Sequence, residues 1–131
     1  MTDQNTPSVT ILPETTENIL YFSVTGVVTK EDYIEYIYKP MSDIRQKQEH
    51  FRVLAIIEEG FLGMTEDAAE TDLAHRLEGY EEQKADKVAM VIYNPVHKQK
   101  MQPIELFMKS GEFKIFNGDE LDIAKKWIFE E

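Results

Sequence analysis

The chain has 131 residues, with 25 acids against 14 bases for a net charge of −11, 42% hydrophobic content and no cysteine. That length suits a single domain with a core of its own; the absence of cysteine excludes disulfides and thiol catalysis, and the negative surface disfavours nucleic acid and anionic lipid as partners. No apolar run approaches the roughly 18 residues needed to span a bilayer, and the start, MTDQNTPS, lacks the basic and apolar regions of a signal peptide, so a cytoplasmic protein without stable membrane insertion is expected.

Residues 1–7 are polar and aperiodic and are expected to be disordered, with the domain spanning 8–131. Ser8 to Leu12 is a short apolar run closed by Pro13, which suits an edge strand. Ile19 to Val28, ILYFSVTGVV, is rich in β-branched and aromatic residues and forms a hairpin with the first strand. Thr29 is a good helix cap, and Asp32 puts a carboxylate in the first turn. Ile34, Ile37, Met41 and Ile44 then make one apolar stripe, with Pro40 inside it predicting a kink or a break.

Arg52 to Ile57, RVLAII, reads as a strand buried on both faces, ended by Glu58, Glu59 and Gly60. Phe61, Leu62 and Met64 then fall in a loop before a helix from Thr65 to Lys84, whose apolar face is expected at Ala69, Leu73, Leu77 and Tyr80. Lys87 to Tyr93 is a second doubly buried strand, stopped by Asn94 and Pro95. In Val96 to Ser110, Met101, Ile104 and Met108 are helically spaced, and Leu106 and Phe107 add apolar surface beyond one stripe. Phe113 to Phe116 is a short strand, Asn117 to Asp119 a turn with cap character, and Leu121, Ala124 and Ile128 beside Trp127 define a last amphipathic helix.

The order is ββαβαβαβα: a single-domain α/β fold with a mixed, mostly parallel sheet of about five strands and about four helices. Ligands in such sheets bind beyond the carboxyl ends of the strands. Here those ends are Glu58 to Met64, Tyr93 to His97 and Phe116 to Asp119.

Several of these stretches, in this order, resemble the SpoIIAA-like group of the STAS superfamily over Ile19 to Phe129. They are GVVTKEDY at Gly26 to Tyr33, the strand Arg52 to Ile57, FLGMTEDAAETDLAH at Phe61 to His75, KVAMVIYN at Lys87 to Asn94, FKIF, and IAKKWI at Ile123 to Ile128. The resemblance implies a fold related in outline to CRAL-TRIO lipid-binding domains, in which the helices after the third and fourth strands part to form an apolar cleft. The phosphoswitch branch carries an Asp-Ser-Ser-Gly-type element where this chain has Gly63, Met64, Thr65 and Glu66, which stands against an anti-sigma-antagonist role. Relatives with a tryptophan after the fourth strand differ from the Pro95, Val96, His97 found here.

Chemistry-bearing motifs are few. Glu58, Glu59, Glu66, Asp67, Glu70 and Asp72 are dense enough to suggest a divalent cation, but helix-start chemistry and solvation account for them, and no metal is expected. His50, His75 and His97 share no ligand spacing, and no nucleophile motif or phosphate-binding loop is present, so no catalytic residues and no cofactor are expected. Thr65 is a helix cap and a candidate phosphorylation site opposed by its acidic neighbours. The surplus apolar residues carry the functional expectation. Phe61, Leu62, Met64, Leu73 and Tyr93, facing Met101, Leu106, Phe107 and Met108, either pack on each other as a minor core or line a pocket for a small apolar or lipid-like ligand, with transient membrane contact as an extension. The alternative is a regulatory protein-interaction domain. A concave pocket at Phe61–Met64 favours the first reading and a flat exposed patch the second.

Overall fold

A computed structural model describes residues 8–48, 50–78, 85–98 and 111–130. Five strands form one sheet in the order β1-β2-β3-β4-β5: β1 Val9–Ile11, β2 Ile19–Val28, β3 Phe51–Met64, β4 Ala85–Ile92 and β5 Glu112–Asn117. β1 pairs antiparallel with β2, and the other neighbours are parallel, giving the mixed sheet the chain pattern implies. The helical elements are α1 (Lys30–Tyr33), α2 (Lys39–Lys47), α3 (Glu66–Glu78) and α4 (Leu121–Phe129). The fold is a single α/β domain. Residues 1–7, expected to be disordered, and Met101, Leu106, Phe107 and Met108 lie outside the described residues.

The alternating pattern of β2 to β5 sorts side chains onto two cores. Leu20, Phe22, Val53, Ala55, Ile57, Met90 and Ile92 face the side on which Tyr33, Ile34, Ile37, Met41 and Ile44 pack. Tyr21, Leu54, Ile56, Ala89, Val91 and Phe116 face the other, closed by Leu121, Ala124, Trp127 and Ile128 of α4. The apolar stripe after Thr29 therefore buries as expected. Thr29 caps it, its hydroxyl oxygen accepting from the Asp32 amide at 3.2 Å.

Pro40 does not break the helical path. The residues ahead of it, Ile34–Tyr38, form a π-turn, in which the Lys39 amide donates to Ile34 O five residues back. Proline cannot donate and its ring crowds the preceding turn; widening that turn absorbs both defects and lets α2 continue to Lys47.

The carboxyl end of α4 is tied down by two cations from the amino ends of the central strands. The Arg52 guanidinium donates to Ile128 O at 2.8 Å and Glu130 O at 2.7 Å. Lys87 Nζ donates to Trp127 O and Glu130 O, both at 2.9 Å, and lies 4.8 Å from the Trp127 ring centroid. Carbonyls that a helix end leaves unpaired are thereby satisfied. Arg52→Met is expected to cost about 1.5–3 kcal/mol, the range for hydrogen bonds to a charged group, read as a lowered urea midpoint at unchanged slope.

Candidate functional site: the β2–β3 ribbon beyond the sheet

The largest departure from the sequence reading is at Glu58–Gly60, which does not end the strand. β3 runs on to Met64, past the last β4 pairing at Ile57↔Ile92, and stays paired to β2 through Phe61↔Gly26, Val27↔Gly63 and Val28↔Met64. Phe61, Leu62 and Met64 are thus strand residues, not loop residues. Glu58, Glu59 and Gly60 stand opposite Thr25 alone, a bulge that turns both carboxylates out to solvent. Polar residues followed by glycine look like a stop signal; a bulge accommodates them without losing the ladder on either side.

Glycines make this geometry possible. Gly26 has φ +63° and Gly63 φ +118°, conformations that side chains resist. At Gly60 a β-carbon would stand 2.9 Å from Thr25 Oγ1, so the bulge closes against its partner strand only without one.

The ribbon separates the residues expected to share one pocket. Phe61 is buried in the core beneath α1 and α2, and Met64 packs against the same core. Leu62 is left to solvent, 75% exposed, and Val27, which pairs with the neighbouring Gly63 on β2, is 47% exposed. Leu73 is 49% exposed and Ala69 is exposed as well; among the described side chains of α3 the buried one is Ala68, at 0%, while Leu77 and Tyr80 of the expected apolar face lie outside the described side chains. A small residue lets α3 lie close, which Leu73 in its place would prevent. Tyr93 is 38% exposed and lines an open depression of about 330 Å³ with Ile56, Glu58 and Glu59, on the α4 side of the sheet.

Two polar features brace the ribbon. His97, in the 3-10 turn Pro95–His97 after β4, is 5% exposed; its Nε2 donates to Phe61 O at 3.2 Å and its ring meets the Phe61 ring edge-on at 5.0 Å. A carbonyl only accepts, so the proton is on Nε2, and Nδ1 is buried without a partner among the described residues. Nothing in the sequence pattern marked this histidine as buried. Thr65 caps α3 as expected: its hydroxyl oxygen accepts from the Ala68 amide at 3.3 Å, its proton goes to Asp67 Oδ1 at 2.6 Å, and its own amide donates to Val28 O at 3.0 Å.

That short hydroxyl bond, foremost, and the Ala68 amide hold the Asp67 carboxyl below the ordinary aspartate range. A folded-state value below the unfolded one contributes stability above the unfolded value, and this contribution fades as pH falls through the folded value. Asp67 is therefore expected to titrate at lower pH than a free aspartate in a carboxyl-detected NMR titration, and Thr65→Ala to move it upward.

Among the described residues no group of three or more His, Asp or Glu side chains is placed to hold a metal ion, and no helix is long and apolar enough to cross a membrane. Glu58 and Glu59 lie apart from Glu66 and Asp67 along the ribbon, with Phe61–Met64 between them.

Four sequential parallel strands with an antiparallel edge, a helical layer on one face and a terminal helix on the other make this a STAS-type α/β domain. The chain belongs to the SpoIIAA-like family, whose model matches residues 19–129. Its fold is similar to that in the crystal structure of an uncharacterised protein of the DUF3478 family with a SpoIIAA-like fold from Shewanella loihica PV-4. The two share 21% identity over 92% of this chain and 94% of that one, with a TM-score of 0.68. No curated protein matches the chain.

Proposed function

We propose that the protein is a non-catalytic interaction domain that contacts a protein partner through the end of the β2–β3 ribbon. The observation that carries this reading is Leu62, 75% exposed at the end of β3, with Val27 of the paired strand 47% exposed. An apolar pair held on a glycine-built ribbon, rather than on a mobile loop, is pre-organised for contact and does not pay for ordering on binding.

The test places a photo-reactive benzoylphenylalanine at position 62, with position 46 on the exposed side of α2 as control, in the native host. A discrete protein adduct from position 62 and none from position 46 is the expected result. Equal adducts from both positions, or none from 62, would remove the reading.

A second reading, an apolar or lipid-like ligand on the other face of the ribbon, is favoured by His97. Its buried Nδ1 has no donor among the described residues, an omission that costs about 1–3 kcal/mol. The hydroxyl of an amphiphile lodged beside Phe61 and Met64 would supply that donor. Native mass spectrometry of the purified protein would show a retained small molecule that is lost in His97→Phe; a bare protein mass sinks this reading.

A further inference from the structure

Taking the ribbon end as the contact surface, on which this step rests, we propose that its partner is a basic protein segment. An apolar side chain seats on Val27 and Leu62, and an arginine enters the depression formed by Ile56, Glu58, Glu59 and Tyr93. Ile56 places the depression on the α4 side of the sheet, and the Glu58–Gly60 bulge joins it along β3 to the exposed end of the ribbon.

Charge complementarity selects this occupant. Three exposed acids on other elements have lysine partners: Glu35 meets Lys39 at 3.1 Å, Asp43 meets Lys47 at 3.3 Å and Glu14 meets Lys125 at 3.0 Å. Glu58 and Glu59 have no ion-pair or hydrogen-bond partner among the described residues, although the bulge fixes the backbone that carries them. A net charge of −11 disfavours a second copy, which would bring the same carboxylates, and an anionic bilayer.

The walls of the depression favour guanidinium over a simple ammonium. The Tyr93 ring lies directly over Gly118, where a β-carbon would come within 2.3 Å of Tyr93 Cδ2, so the ring is seated on bare backbone. A planar guanidinium can stack on such a ring and give paired hydrogen bonds to carboxylates, while Ile56 accepts the methylene stem. Arginine is also among the residues most often found at interface hot spots.

The experiment titrates the 15N-labelled protein with the peptide acetyl-Arg-Leu-Phe-Arg-amide and with its counterpart in which citrulline, an uncharged isostere, replaces each arginine. Expected are saturable amide shifts at Val27, Glu58, Glu59, Leu62 and Tyr93 with the arginine peptide. Binding should weaken at least ten-fold with citrulline, with the double variant Glu58→Gln/Glu59→Gln, and with Leu62→Asp, each variant keeping the wild-type spectrum elsewhere. A citrulline peptide that binds within two-fold of the arginine peptide overturns the proposal, as do shifts spread equally over α2. Ribbon shifts that depend on protein concentration alone would assign the surface to a second copy, and shifts induced by phosphatidylcholine vesicles would assign it to a bilayer; either result also overturns it. An adduct from position 62 with a partner segment devoid of basic residues would refute the arginine seat and leave the interaction reading standing.

Discussion

Leu54→Ala will destabilise the protein by about 2–5 kcal/mol, whereas Leu62→Asp will leave unfolding within about 0.5 kcal/mol of wild type. The two leucines lie on one strand, β3. Leu54 is 0% exposed in the core closed by Ala124 and Ile128, so its truncation removes buried methyls and leaves a cavity. Leu62 is 75% exposed beyond the bulge, where a charge meets water at no desolvation cost. Urea unfolding of both variants, followed by the Trp127 fluorescence that α4 reports, checks the pair. A Leu62→Asp variant as unstable as Leu54→Ala would mean that the ribbon end belongs to the core, and the interaction reading would lose its basis.

Gly118→Ala is the second large effect, expected at about 1–3 kcal/mol, the usual cost of forcing atoms into a filled space. A β-carbon there meets Tyr93 Cδ2 at 2.3 Å and Tyr93 Cγ at 2.7 Å. Those atoms are near the ring's root, so the ring cannot yield by turning its tip aside. It must leave its seat between the end of β4 and the turn Gly118–Glu120, and with it goes one wall of the depression. Lowered stability together with displaced Tyr93 side-chain resonances is the expected outcome; a wild-type Tyr93 environment in Gly118→Ala would contradict the packing described.

The strands most legible in the sequence were those whose chemistry is one-sided. β2 matches its expected span because ten residues of aromatic and β-branched character leave no competing period. The buried runs of the two central parallel strands and the stripe of α4 were also plain, although β3 extends to Met64, well past its expected end at Ile57. What the sequence concealed were features that depend on a partner strand or neighbour. Glu58, Glu59 and Gly60 spell a terminator, yet pairing with β2 resumes at Phe61 because Gly26 adopts φ +63° and shifts the register. Leu73 looked like the anchor of α3, but close approach to α1 selects Ala68 instead. Pro40 announced a defect without saying that a π-turn upstream would absorb it.

For the site, apolarity at Phe61, Leu62 and Met64 was visible and their separation onto two faces was not. Treated as a loop they converge; in the strand, adjacent Phe61 and Leu62 point opposite ways, and the register shift at Leu62 and Gly63 returns Met64 to the side of Phe61. Phe61 and Met64 join the core, and Leu62 is left to solvent. The distinction between pocket and patch therefore rested on one secondary-structure assignment, and the strand assignment moves the functional reading toward a surface contact.

The central claim is that the ribbon end is where a partner binds. Hydrogen–deuterium exchange of the protein alone and with the partner captured at position 62 tests it most directly. Slowed exchange confined to Thr25–Val28 and Glu58–Met64 is the predicted result; unchanged exchange there, with protection appearing on α2 or at the amino ends of β3 and β4, would contradict it.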